Sequence, residues 1–370
     1  MAGSNGSAAS RDAGGVVLGV DTHEDEHVAV ALDPLGRRLR SAAFPATKAG
    51  YRRLLRWGEA LGGGAPVSAV GVEGTGSFGA GLARHLLSEG VRVLEVNRPN
   101  RQHRRAFGKS DPTDAEAAAR AVLAGTAKGL SKGADGKVEM IRALRVARRS
   151  AMKARTQAAN QLKALRVTAP DGLRDRLRVL RLADLVRMAS RFRPAEDLED
   201  PTEATRFAMR SVARRHRALS EEIAELDRRL GKLVAEAAPS LVALKCVSTE
   251  TASALLIAAG DNPERMRSEA AFASLCGAAP VPASSGKVRR HRLSRGGDRQ
   301  AKWALYWIAV GRMAWDERTK EYVARRTSEG KSKKEIIRCL KRFVAREVYR
   351  VLVDRPSPVL PVPVPALDEP

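Results

Sequence analysis

The chain has 370 residues, 44% of them hydrophobic, which suffices for two or three domains with their own cores and excludes a disordered chain. Lys and Arg number 66 against 42 Asp and Glu, a formal net charge of +24 with a pI near 10.8, so the expected partner is a polyphosphate, nucleic acid ahead of an anionic membrane surface. No apolar run approaches the ~18 residues of a membrane span, no secretory signal precedes the first strand, and Cys246, Cys276 and Cys339 are too scattered for zinc or a disulfide framework, a pattern that suits a cytoplasmic protein with free thiols.

Residues 1–15 are Gly, Ser and Ala with little to bury, and 354–370 is spaced by prolines, so both ends are expected to be tails. From residue 16 to about 130, strands alternate with helices. VVLGVD reads as a short buried strand, HVAVALD alternates beside it, and the turn DPLG leads to a third strand in RRLRSAAF. A helix over Tyr51–Leu61 follows, then the strand VSAVGVEG, a helix near Phe78–Leu87, the strand VRVLEVN and a helix opened by Asp111. Asp111 followed by Pro112 predicts an N-cap and a proline at the first helical position, with Asp114 also favoured by the helix N-terminus. The order βββαβαβα is that of ribonuclease-H-like domains; the sugar-kinase and actin superfamily shares it.

Residues 138–239 read as helical, and Leu219, Ile223, Leu226, Leu230 and Leu233 step at heptad spacing. Upstream, Ile141, Leu144, Ala151, Ala158, Leu162 and Leu165 repeat more loosely. Spacing alone fits an antiparallel coiled coil within one chain and a dimer seam equally well. Residues 241–353 read as short helices broken by turns, then the loop VPASSGKVRRHRLSRGGDRQ and two amphipathic helices. Trp303, Tyr306, Trp307 and Val310 share a helical face, and such a stripe is expected to be core rather than a base-stacking platform. The fold class is therefore α/β plus all-α: a ribonuclease-H-like domain, a helical coiled-coil region and a small, mostly helical C-terminal domain.

In a ribonuclease-H-like sheet, the first strand, the end of the fourth and the last helix converge on one edge. Asp21 ends the first strand, Glu73 follows the fourth, and Asp111 and Asp114 open the last helix. Carboxylates brought together repel unless a cation neutralises them, and magnesium prefers oxygen ligands. Two such ions about 3.5–4 Å apart can hold the attacking and leaving oxygens of an in-line phosphoryl displacement. Arg101, Arg104, Arg105 and Lys109 place phosphate-binding charge just before the helix, and the later loop carries Lys287, Arg289, Arg290, Arg292, Arg295 and Arg299 against Asp298 alone.

The motifs GVDTH, GVEGTGS and KSDPTDA resemble those of the DEDD-type insertion-sequence transposases of the IS110 family. The resemblance extends to AAGDNPERMRSEAAFASLCGAAPVPASSGKVRRHRLSRGGDRQAKWAL and so covers about residues 16 to 350. It implies a RuvC-like N-terminal domain, a C-terminal transposase domain, and magnesium held by Asp21, Glu73, Asp111 and Asp114. It also implies a serine of the second domain that attacks a DNA phosphate, keeps the strand covalently and passes it to a new hydroxyl end. Ser285 best matches that nucleophile, with Ser284 as the alternative. Further implications are a structured guide RNA that selects donor and target DNA by base pairing, a homodimer or tetramer, and association with the nucleoid when active. The chain departs from the family pattern where a lysine often follows the first aspartate: it has His23 and Glu24. The glycine-rich hairpin before the Thr-Ala helix is missing from LKCVSTETASALL, and Lys287 replaces a second glycine after Gly286.

Three other readings stay open on the sequence. A metal-dependent nuclease or Holliday-junction resolvase would use the same acids with water as nucleophile. GVDTHEDEHVAVALDPLG also resembles the phosphate hairpin of ATP-dependent sugar kinases, though no second βββαβαβα unit follows. A non-catalytic nucleic-acid scaffold is the third.

Overall fold

Val16, Leu18 and Val20 alternate with Val17, Gly19 and Asp21, and strand β1 (Val17–Thr22) turns these two sets to opposite faces of a six-stranded sheet. The computed structural model describes residues 15–96, 110–127, 129–196, 200–262, 265–282, 291–294 and 296–353. The other strands of the sheet are β2 (Glu26–Leu32), β3 (Arg38–Pro45), β4 (Ala69–Glu73), β5 (Val93–Val96) and the two-residue β6 (Gly129–Leu130). Their order is β3-β2-β1-β4-β5-β6. β1 to β3 form the antiparallel meander, β1, β4 and β5 run parallel, and β6 closes the edge antiparallel to β5.

Helices cover both faces. α1 (Lys48–Leu61), capped by the Thr47 hydroxyl accepting from the Gly50 amide, and α2 (Ala80–Ser88) bury Leu54, Leu82 and Leu86 against Leu18, Val20, Val70 and Val72. On the other face lies α3 (Asp111–Leu123), whose Ala115 and Ala119 meet Val17, Val30 and Leu32.

The approach of α3 to the sheet is set by glycine and alanine. A Cβ on Gly19 of β1 would stand 2.1 Å from the Ala115 carbonyl oxygen, and one on Gly71 of β4 would stand 2.8 Å from that of Ala118. No side chain fits between these backbones. Glu116 fastens the outer side of α3, pairing with Arg38 of β3 at 3.3 Å and with Arg120 at 2.6 Å.

The chain divides into two units. The first takes Met1–Gly136, Ala259–Phe272 and Leu352–Pro370, the second Lys137–Ala258 and Ala273–Val351. Ala259–Phe272 is tied into the first unit by hydrogen bonds. The Asn262 amide donates to the Ser131 carbonyl at 3.0 Å, and the Arg265 guanidinium donates to the Leu130 carbonyl and pairs with Glu95 at 3.5 Å.

In the second unit, α4 (Lys137–Val167) and α7 (Pro201–Ala237) pack along each other. Lys137 pairs with Glu236, Arg148 with Asp227 and Gln161 with Arg215, so the two helices run antiparallel within one chain. Met209, Ala213, Ile223, Leu230 and Val234 form the buried line of α7, whereas Leu219, Leu226 and Leu233 lie half-buried at its margin. Between them sit α5 (Asp171–Leu177) and α6 (Leu182–Ala189), with Leu173, Leu177 and Leu185 in the same core as Leu162 and Met209. Arg145, 4% exposed, is held by Glu250 at 2.7 Å, a buried charge matched as burial requires.

The chain continues through α8 (Pro239–Val242), α9 (Thr249–Ala259) and α10 (Glu269–Leu275). Strands β7 (Pro280–Pro282) and β8 (His291–Leu293) then pair antiparallel, so the ends of the stretch read as a loop form a ribbon. Helices α11 (Arg299–Trp315), α12 (Glu317–Ser328) and α13 (Lys333–Val353) complete the unit. The aromatic stripe of α11 is not core. Trp303, Tyr306 and Trp307 are exposed, because Ala301, Ala304, Leu305, Ile308 and Ala309 provide a smaller face that packs more closely. No helix among the described residues is long and apolar enough to cross a membrane. The predicted tails, apart from Gly15, lie outside the described residues.

Gly19→Ala should lower stability by about 1–3 kcal/mol, since overpacking must separate α3 from β1. Gly231→Ala, in α7 with nothing within 4 Å of the added Cβ, should raise it by about 0.5–1 kcal/mol. Thermal denaturation of both variants checks the contrast.

Candidate metal centre

Asp21 shares a face of the sheet with Gly19, and Glu73 with Gly71, so the glycines that admit α3 also aim both acids at its N-terminal end. The Thr22 hydroxyl donates to the Glu73 carbonyl at 2.8 Å and holds the ends of β1 and β4 together. Gly74, at φ 72°, then turns the chain; its carbonyl accepts from the Ser77 and Gly79 amides, which leads into α2. Only glycine takes that φ without strain.

The helix begins differently from the predicted cap. Ser110, extended and without a side-chain capping bond, occupies the N-cap, and Asp111 is the first helical residue. Ser110 instead shares a 2.7 Å hydrogen bond with the Thr113 hydroxyl. Asp111 turns its carboxylate to His23, at 3.5 Å, rather than to the helix amides. The capping assignment is thus corrected by one residue, because Ser110 and Asp111 are adjacent residues with equal chemical claim to the position. Asp114, one turn in, is 6% exposed.

His23, the last residue of GVDTH, is the member of the cluster that the sequence did not place among the ligands. Its Nε2 lies 3.4 Å from Asp21 and 3.5 Å from Asp111, and ligand atoms of these three residues all fall within 4.8 Å of one another. It stands at the start of the β1–β2 turn, where its amide donates to the Glu26 carbonyl. The available signal was the replacement of a cationic side chain by one that is both base and ligand.

Electrostatics unite the four acids. Burial pushes the Asp21 carboxyl above the ordinary carboxylate value, His23 opposes that shift, and the negative charges of Glu73, Asp111 and Asp114 add to it. Each of the three acids is therefore close enough to repel Asp21. Oxygen donors crowded to the point of mutual repulsion, with one imidazole nitrogen among them, fit a divalent cation. Among the described residues the structure thus gathers Asp21, His23 and Asp111 within ligand distance of one another, while Glu73 and Asp114 lie outside that group and act on Asp21 through their charge. Arg292 lies exposed on β8. Arg101, Arg104, Arg105, Lys109, Ser284, Ser285, Lys287, Arg289, Arg290 and Arg295 lie outside the described residues.

A mixed sheet with helices on both faces and this acidic edge is consistent with a ribonuclease-H-like DEDD domain, here joined to a helical C-terminal region. A transposase family model matches residues 18–168, and that of the transposase IS116/IS110/IS902 family matches residues 239–324. The two matches together span more than half of the chain, which belongs to the IS110-type transposases and is a DNA-acting enzyme. No curated protein matches the chain.

In metal-free buffer, Asp21→Asn should raise the melting temperature by roughly 2–4 °C, the shift that corresponds to about 1 kcal/mol of relieved charge burial and repulsion. Because the folded value of Asp21 lies above the unfolded one, its ionisation opposes folding. The advantage of Asn should be largest at neutral pH and vanish as pH falls through the raised value towards 3.8. Magnesium should stabilise the wild type and leave the variant unmoved, which calorimetry with and without the ion checks.

Proposed function

We propose that the chain is a magnesium-dependent recombinase that moves an insertion sequence through a covalent phosphoserine intermediate with DNA. The observation that supports this reading is the cluster of Asp21, His23 and Asp111, with Glu73 and Asp114 adding their charge to it, in a chain of the IS110 type. These four residues, with His23 beside them, would hold the metal. When bound, magnesium neutralises the carboxylates and stabilises charge developing on phosphate oxygens.

Ser285 supplies the nucleophile, with Ser284 as the neighbouring alternative. Its Oγ forms an ester bond to a DNA phosphorus while the bond from that phosphorus to the adjoining deoxyribose oxygen breaks. The serine proton leaves to a base or to solvent, and the departing oxygen takes up a proton as a free hydroxyl. A hydroxyl end from the second DNA then attacks the phosphoserine and restores Ser285. One phosphodiester is exchanged for another, so the cycle needs no ATP. Lys109 and the cations of the 281–300 stretch serve the phosphate backbone. The working form is a homodimer or tetramer. A structured guide RNA pairs with donor and target DNA, which leaves the protein to read shape and backbone. In domain terms, residues 16–130 carry the acids, 138–239 form a coiled-coil region and 241–353 carry the serine.

The acidic cluster would serve a water nucleophile equally well, so the resolvase reading is separated by Ser285. The wild type should yield a protein–DNA adduct that survives denaturing electrophoresis, and Ser285→Ala should lose the adduct and about 10³-fold or more of strand exchange. Undiminished cleavage by Ser285→Ala would establish water as the nucleophile. Sequencing the nucleic acid that copurifies with the protein, expressed with its native flanking DNA, should return one discrete RNA encoded beside the gene; heterogeneous RNA would contradict guidance.

A further inference from the structure

A second concentration of charge lies in the helical unit, apart from the acids. α12, α13 and the β7–β8 ribbon line a cavity of about 870 Å³. Its cations are Arg292, Arg325, Arg326, Lys331, Arg338 and Arg342. Glu335 is the carboxylate among the described lining residues, and it is engaged at the start of α13 by the Ser332 amide and hydroxyl at 2.9 and 2.8 Å. Arg326 pairs with Glu329, whereas Arg292, Arg325, Lys331 and Arg338 form no ion pair among the described residues. Elsewhere in the unit, inward-facing arginines are matched, as Arg145 is by Glu250 and Arg312 by Glu347.

Solvated cations are common on a chain of net charge +24, and two features separate this group from them. The cations line a concavity, where like charges repel at short range unless an anion enters. They also surround an aromatic pair. The guanidinium carbons of Arg325 and Arg326 lie 5.6 and 5.9 Å from the Tyr322 ring centre, and Tyr322 meets Phe343 edge-on at 5.6 Å. Phe343 remains 48% exposed. Guanidinium forks match phosphate oxygens, and exposed aromatic rings stack on bases. A cavity offering both is suited to a nucleic-acid strand rather than to an isolated anion. β7 and β8, which help line the cavity, also flank in sequence the stretch that contains Ser285.

We propose that this cavity seats the DNA strand handled by Ser285, with backbone phosphates on Arg325, Arg338 and Arg342 and a base against Tyr322 and Phe343. This assignment rests on the function proposed above and adds to it a strand-binding site on α12 and α13.

The test uses the full chain and fluorescence anisotropy with a labelled single-stranded DNA oligonucleotide across a salt series. Arg325→Gln combined with Arg338→Gln should weaken binding at least tenfold near 0.15 M salt and reduce the slope of log K against log salt by about 1.4, the loss of two phosphate contacts. Arg228→Gln combined with Arg229→Gln removes the same charge from exposed residues of α7 that pair with Glu225, and should change neither quantity. Phe343→Ala should weaken binding severalfold with the slope retained. Equal behaviour of the two double variants, at unchanged melting temperature, would overturn the proposal. So would a loss confined to an RNA of the same length, which would assign the cavity to RNA. Asp21→Asn, run alongside, should bind DNA as the wild type does and fail in strand exchange. The binding isotherms and the exchange assay thus fail independently if only one of the two readings is wrong.

Discussion

The first unit depends on how closely α3 lies against β1 and β4. Gly19 and Gly71 leave the strand backbones bare, and Ala115, Ala118 and Ala119 leave the helix nearly so. Helix and sheet then meet at a separation that any larger side chain would forbid. This packing fixes both the tilt and the height of the helix, and so the positions of Asp111 and Asp114. The run DPTDAEAAAR is therefore one device: Asp111 and Asp114 stand at its mouth, and its alanines bring them to the sheet.

That closeness has an electrostatic cost, which the acids meet together. Asp21 is buried and repelled by three other carboxylates, while His23 offers the opposing contact among the described residues. A fold held only for stability would not gather like charges in this way, because each removal from water and each repulsion opposes folding. The arrangement becomes favourable once a cation is shared. On a chain of net charge +24 this local gathering of acids runs against the overall charge balance. The cavity between α12 and α13 is the converse in the second unit, a local gathering of cations.

Much of this was legible in the sequence because short buried strands end on acids: Asp21 and Glu73 each close an apolar run, and the order of elements places both at one edge. The rest depended on tertiary choices. Ser110 and Asp111 are both competent caps, and only the helix start decides between them. His23 lies in a turn, where no periodicity reveals direction. The stripe of Trp303, Tyr306 and Trp307 defined a face of α11 correctly, but the alanine-rich face won the core because small residues permit closer helix contact. β6 and the β7–β8 ribbon have two or three residues per strand, too few to show a period. Ala259–Phe272 joins the first unit through Asn262 and Arg265, whose partners lie more than a hundred residues earlier.

The mouth of α3 and the ends of β1 and β4 should form a divalent-metal site. Anomalous diffraction from crystals soaked in manganese, a magnesium surrogate with a usable absorption edge, addresses it without reference to activity. An anomalous peak bounded by Asp21, Glu73, Asp111 and Asp114 is expected, and it should disappear in Asp21→Asn. A peak elsewhere, or none at saturating manganese, would contradict it.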